Sequence, residues 1–151
     1  MIALRSVGAA YAQIALDAML EACKQRNVSA VLAVADNHGE PIALLRLDGA
    51  PLVSVQIALN KAYSAARERK PSREIGAAAR RPSSGFEMSY FGDHRFTGWA
   101  GGLPVTFHGE CIGAVSVSGL TEDLDEEIAS LGVAAVVASQ VFFEGNQNRE
   151  A

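Results

Sequence analysis

No stretch of about 20 apolar residues, the length a helix needs to cross a bilayer, occurs in this 151-residue chain. Met1-Ile-Ala-Leu-Arg5 also lacks the charged start and the apolar run of about 7–15 residues that make a secretory leader. Basic blocks are missing too. Lys and Arg occur in nothing larger than local groups such as Arg80-Arg81, and the formal net charge is −4. A phosphate backbone finds no cationic face here, so nucleic acid is excluded as a main partner. Only two cysteines are present, Cys23 and Cys111, without the short spacing of a metal knuckle or a redox pair. They read as buried thiols in a reducing compartment. These absences together predict a cytoplasmic protein without a membrane span.

What is present fits one ordinary globular domain across residues 1–151, with frayed ends expected at 1–5 and 145–151. Apolar residues make up 49% and charged residues 20% of the chain. Tyr11, Ile14, Ala15, Ala18, Met19, Ala22 and Cys23 recur at the spacing of one helical face, which predicts an amphipathic helix ending near Asn27. Two β-rich runs, 29–35 and 41–47, flank Asp36-Asn37-His38-Gly39-Glu40, a cluster suited to a hairpin turn. A second helix follows from Leu52 to the charged residues before Pro71. Ser72 is placed to cap a short third helix that Pro82 stops.

Between Ser83 and Gly102 lie Phe86, Tyr90, Phe91, Phe96 and Trp99, five of the chain's ten aromatic residues, among glycines and without clear periodicity. This stretch reads as a loop with room for one strand, and loops are where binding groups are mounted. A second hairpin over 103–107 and 111–117 follows, its second strand apolar on both faces. Thr121 caps a final helix that starts acidic and becomes apolar nearly all round from Ile128 to Phe143, a surface expected to meet another subunit. Segregated hairpins with helices at intervals predict an α+β fold with a mostly antiparallel sheet.

Candidate chemistry concentrates in a few positions. His38 and His108 occupy turns and read as exposed polar residues. His94, beside Asp93 and Arg95 and near Trp99, is better placed as a metal ligand or a general acid/base. Lys61 sits among Ala58, Ala62 and Ala65, where a long cationic chain would leave a small-residue surface to act as base or nucleophile, or to pair with a ligand carboxylate. Arg46 and Asp48 form either a strand-end ion pair or an anion site. Gly101 and Gly102 belong to a glycine run that permits close backbone approach to a ligand. The acids from Asp123 to Glu127 read as dipole-stabilising more readily than metal-binding, and Ser116 and Ser118 lack a nucleophile elbow.

Four motifs carry a resemblance. Arg46-Leu-Asp48-Gly-Ala-Pro51, Asn60-Lys-Ala-Tyr-Ser-Ala65, Gly101-Gly-Leu-Pro104 and Ile112-Gly-Ala-Val-Ser-Val-Ser-Gly119 occur in order, so the chain resembles the GlcG/HbpS family from about residue 4 to 142. The resemblance implies a profilin-like α+β fold, a five-stranded antiparallel sheet flanked by helices, in a homo-oligomer. It also implies haem or a related tetrapyrrole as ligand. In that picture Arg46 and Lys61 hold acidic groups, Phe96 and Trp99 pack on the faces, Gly101 and Gly102 allow close approach, and His94 ligates iron. The first helix contains no His, where some haem-binding relatives place a ligand. The alternative is a small cofactor-independent isomerase, cyclase or other proton-transfer enzyme acting on a cyclic or oxo-acid metabolite, with Lys61 and His94 as acid and base in one pocket.

Overall fold

A computed structural model describes the backbone of residues 1–150 and the side chains of residues 1–140. The chain runs α1 (Ala9–Arg26), β1 (Val31–Ala35), β2 (Pro41–Arg46), α2 (Ser54–Glu68), α3 (Ser72–Ala79), a 3₁₀ turn (Met88–Phe91), β3 (Gly102–Phe107), β4 (Glu110–Ser118) and α4 (Glu122–Glu150). Both hairpins and all four helices expected from the sequence form. Asn27 ends α1 in the left-handed region, its N–H donating to the Cys23 and Lys24 carbonyls. In the first hairpin Asp36 accepts the His38 and Glu40 N–H groups, which fixes the turn.

The sheet has four strands in the order β2-β1-β4-β3, every neighbouring pair antiparallel. The expected fifth strand is not formed. In the stretch that could have supplied it, Gly85, Gly92 and Gly98 break any alternation and the backbone turns locally, as in the bonds Gly85 N–H to Arg81 O and Gly92 N–H to Ser89 O.

Helices α1 and α4 cover one face of the sheet, where Leu32, Val34, Val115 and Val117 meet Ala15, Met19, Ile128 and Val136 in the main core. Helix α2 covers the other face over Val31 and Ala33 through Ala58. Strand β4 is thus buried on both sides, as its two-faced apolar sequence requires. On α4 the face of Ile128, Gly132 and Val136 is buried, while Leu131, Ala134 and Ala138 stay exposed. Val141, Phe142 and the tail after Gly145 fall among residues whose side chains lie outside the description. Among the described residues no helix is long and apolar enough to cross a membrane.

Candidate functional site

The site begins with a lysine that helix α2 sends into the protein instead of toward water. Lys61 is 2% exposed, and its Nζ donates to Asp125 Oδ2 at 2.8 Å and to the Val117 carbonyl at 3.0 Å. Asp125 comes from the first turn of α4, and its other oxygen accepts the Leu120 N–H at 3.1 Å. Burial pushes the Asp125 carboxyl above the usual carboxylate range, and the hydrogen bond and charge of Lys61 oppose that shift. The ammonium therefore ties α2, β4 and α4 together at one end of the sheet.

Gly101 and Gly102 pack tightly around this lysine and its partners Val117 and Asp125. A Cβ on Gly102 would strike the Lys61 backbone carbonyl, and one on Gly101, where φ is +124°, would lie 2.9 Å from the ammonium. Both glycines thus pack closely at the foot of Lys61. Three of the family-like motifs, at 60–65, 101–104 and 112–119, converge on this one buried cation.

Above the ion pair lies a hollow of about 450 Å³, lined by Pro51, Val53, Ser54, Ile57, Lys61, Trp99, Ser118, Gly119, Leu120, Glu122 and Asp125. Trp99 forms part of its rim and remains 54% exposed. The segment carrying it is pinned by Ser72, whose hydroxyl donates to the Trp99 carbonyl at 2.6 Å and accepts the Gly102 N–H at 2.9 Å. Ser72 makes no side-chain cap to its own helix, so the expected cap is in fact a cross-link. Glu122 completes the rim by accepting the Ala100 N–H at 2.9 Å.

Other predicted residues lie elsewhere. Phe96 packs edge-on against Tyr63 with centroids 5.3 Å apart and stacks on Phe91 at 4.1 Å. Its ring faces belong to the fold, not to the hollow beside Trp99. Tyr63, buried on α2, donates to Asp93 at 2.6 Å, and Arg95 lies over its ring at 3.9 Å while also binding Asp93 and Glu40. The Tyr63 and Arg95 hydrogen bonds hold the Asp93 carboxyl well below the usual carboxylate range. His94 is exposed and lines a separate hollow of about 300 Å³ with Met88, Ser89, Gly92, Asp93 and Phe96. The two hollows share no lining residue, so among the described residues Lys61 and His94 line different hollows.

Arg46 ends β2 exposed, and among the described residues no ion pair joins it to Asp48. It pairs with Val31, which on its other side pairs with Ser118, so Arg46 shares the α2 face of the sheet but stands two strands from the hollow. The acids at the start of α4 from Asp123 to Glu127 are matched to Arg73, Lys61 and Arg26, and no cluster of metal-binding side chains is found among the described residues.

A family model described as haem degrading protein HbpS-like matches residues 7–134. The chain belongs to the HbpS-like family. A 15.0 kDa protein of Citrobacter freundii, from the dhaT-dhaS intergenic region, is 38% identical over 103 residues, covering 68% of this chain and 72% of that protein. Among solved structures, Klebsiella pneumoniae protein ORFY matches with a TM-score of 0.83 at 30% identity over 90% of this chain and 94% of its own. The haem complex of PduOC matches with a TM-score of 0.79 at 24% identity over 86% and 94%, a likeness of fold. Family membership and the convergence of the motifs on Lys61 thus describe one framework, built around a buried ion pair with a hollow above it.

Proposed function

We propose that this HbpS-like chain binds haem or a closely related tetrapyrrole in the hollow between Trp99 and the Lys61–Asp125 pair, as a homo-oligomer. One observation carries this reading. Leu52, Val53 and Trp99, exposed at 72%, 69% and 54%, stand at or beside one mouth whose inner walls are Pro51, Val53, Ile57 and Leu120. A flat apolar ligand removes that surface from water, at roughly 25 cal/mol per Å² buried. The volume falls within the range of about 300–1,000 Å³ usual for small-molecule sites, and the open side lets the far edge of a larger plate protrude. The family description and the haem complex of a protein sharing the fold support haem as that ligand. A second copy seated over the rim, or over Leu131, Ala134 and Ala138 of α4, would cover the remaining apolar surface.

Titration with hemin tests this, read by the Soret band, with sedimentation equilibrium for assembly. The wild type is expected to give a saturable Soret shift at micromolar hemin, and Trp99→Ala to weaken it about tenfold or more, as loss of a central aromatic contact does. His94→Ala, altered outside the hollow, is expected to bind as the wild type does. No saturable shift, or one indifferent to Trp99, would overturn the proposal, and a strictly monomeric species would remove the oligomer from it.

A further inference from the structure

The apolar walls leave the floor of the hollow unexplained. Five serines are buried on the α2 side of the molecule, and three of them have bonding roles. Ser64 accepts the Thr97 N–H, Ser72 links Trp99 to Gly102, and Ser116 donates to the Ala58 carbonyl at 2.6 Å. The other two are Ser54 and Ser118, only 4% and 3% exposed, and both line the hollow. Neither hydroxyl has a hydrogen-bond partner among the described residues. They are neighbours: the position of a Cβ on Gly119, next in sequence to Ser118, is 3.4 Å from Ser54 Oγ.

Both hydroxyl oxygens face the open hollow, so they are satisfied from the hollow itself, by water or by a ligand. Beside them Lys61 has three N–H donors, of which Val117 O and Asp125 take two. The Asp125 oxygens are engaged by Lys61 and the Leu120 N–H. The floor thus offers three N–H or O–H donors, two hydroxyls and one ammonium hydrogen, while the Glu122 carboxylate stands at the rim, one of its oxygens taken by the Ala100 N–H. We propose that Ser54, Ser118 and the remaining Lys61 N–H form a receptor for an acceptor oxygen, a carboxylate or carbonyl, at the buried edge of an otherwise flat and apolar ligand. The assignment rests on the hollow being the ligand site, as above, and is independent of the ligand being a tetrapyrrole. It places the recognition of polar groups on the start of α2 and the end of β4, away from Arg46.

Three small probes of one shape test it: 2-naphthoate, 2-acetylnaphthalene and 2-methylnaphthalene, titrated into ¹⁵N-labelled full-length protein. The two oxygen-bearing probes are expected to shift the Ser118 and Gly119 amides and the Trp99 indole N–H, and to bind about tenfold tighter than the methyl compound, the value of one to two hydrogen bonds. Their relative strength tells carboxylate from carbonyl. In the Ser54→Ala/Ser118→Ala double variant that preference is expected to fall to about twofold, with the Lys61 N–H remaining, while the methyl compound binds as before. Should the double variant fail to fold, Ser54→Ala alone is expected to lose about half the preference in free energy. Equal binding of all three probes, a preference undiminished by the serine changes, or the absence of any shift around the hollow would overturn the receptor. If hemin fails to bind while the naphthoate preference holds, the tetrapyrrole reading falls and the oxygen receptor stands; the reverse pair of results removes only the receptor.

Discussion

Helix α2 projects Lys61 and Tyr63, two residues apart and thus toward different sides, into two regions built on opposite principles. Lys61 meets Asp125 with both side chains 3% exposed, and an open hollow lies directly above. Tyr63 meets Asp93 and Arg95 at the surface, with those two side chains 24% and 44% exposed, and the rings of Tyr63, Phe91 and Phe96 pack on one another or on a guanidinium. The first region spends its charge internally and leaves apolar surface free. The second spends its apolar surface internally and leaves charge facing water. A ligand with a hydrophobic body fits the first, whereas the second anchors residues 86–97 so that Trp99 reaches the hollow at a fixed point.

The contrast breaks hardest at the buried pair. Lys61→Met leaves Asp125 buried without its partner and is expected to cost about 3–5 kcal/mol in urea unfolding, while Lys61→Met/Asp125→Leu recovers most of that loss. The pH dependence gives a sign. A carboxyl whose folded pKa lies above its unfolded value binds protons more readily when folded, so stability rises as pH falls through the folded pKa. The deficit of Lys61→Met is therefore expected to shrink between pH 7 and pH 5. A deficit that stays constant over this range would show that Asp125 has been relieved by solvent instead.

Gly102→Ala comes next, because its methyl group meets the Lys61 backbone, which cannot swing aside as a side chain can; about 3 kcal/mol is expected. Ser72→Ala leaves the Gly102 N–H without its acceptor and frees the Trp99 carbonyl, for about 2 kcal/mol, together with a change in the emission of the single tryptophan. The surface network gives the smallest effect near neutral pH. Asp93 is held below its ordinary pKa, so its contribution is present above about pH 4 and is lost as pH falls further. Asp93→Asn is expected to flatten the acid limb of the stability curve, and Glu40→Ala to leave the urea midpoint within error. An unfolding loss for Glu40→Ala as large as that for Lys61→Met would erase the distinction between the two regions.

Much of this was legible in the sequence where the signal is local. The helix from Tyr11 to Cys23, the Asp36 turn and the Thr121 cap rest on spacings of a few residues, and each forms, although the buried face of α1 is turned to include Ala12 and Leu16 while Tyr11, Ile14 and Ala18 are half-buried. What failed depends on contacts across the chain. Ser72 has the position of a cap but bonds residues 27 and 30 positions away. Phe96 looks like a ligand platform until Tyr63, hidden inside a family-like motif, is found beneath it. Lys61 stands out by its alanine neighbours, yet nothing local names a partner 64 residues away. Ser118 did leave a trace, with Ser116 one of two hydroxyls at the end of a run of small and apolar residues; weighed only as a nucleophile, it yields nothing.

The central claim is one of place: the ligand edge lies between Trp99 and the ion pair. Ferric hemin broadens nearby resonances steeply with distance, so a hemin titration of the ¹⁵N-labelled protein tests it most directly. The Trp99 indole N–H and the Ser118 and Gly119 amides are expected to disappear first, while the α1 amides from Gln13 to Lys24 remain sharp. Broadening centred on α1, with the Trp99 indole signal intact, would contradict the account.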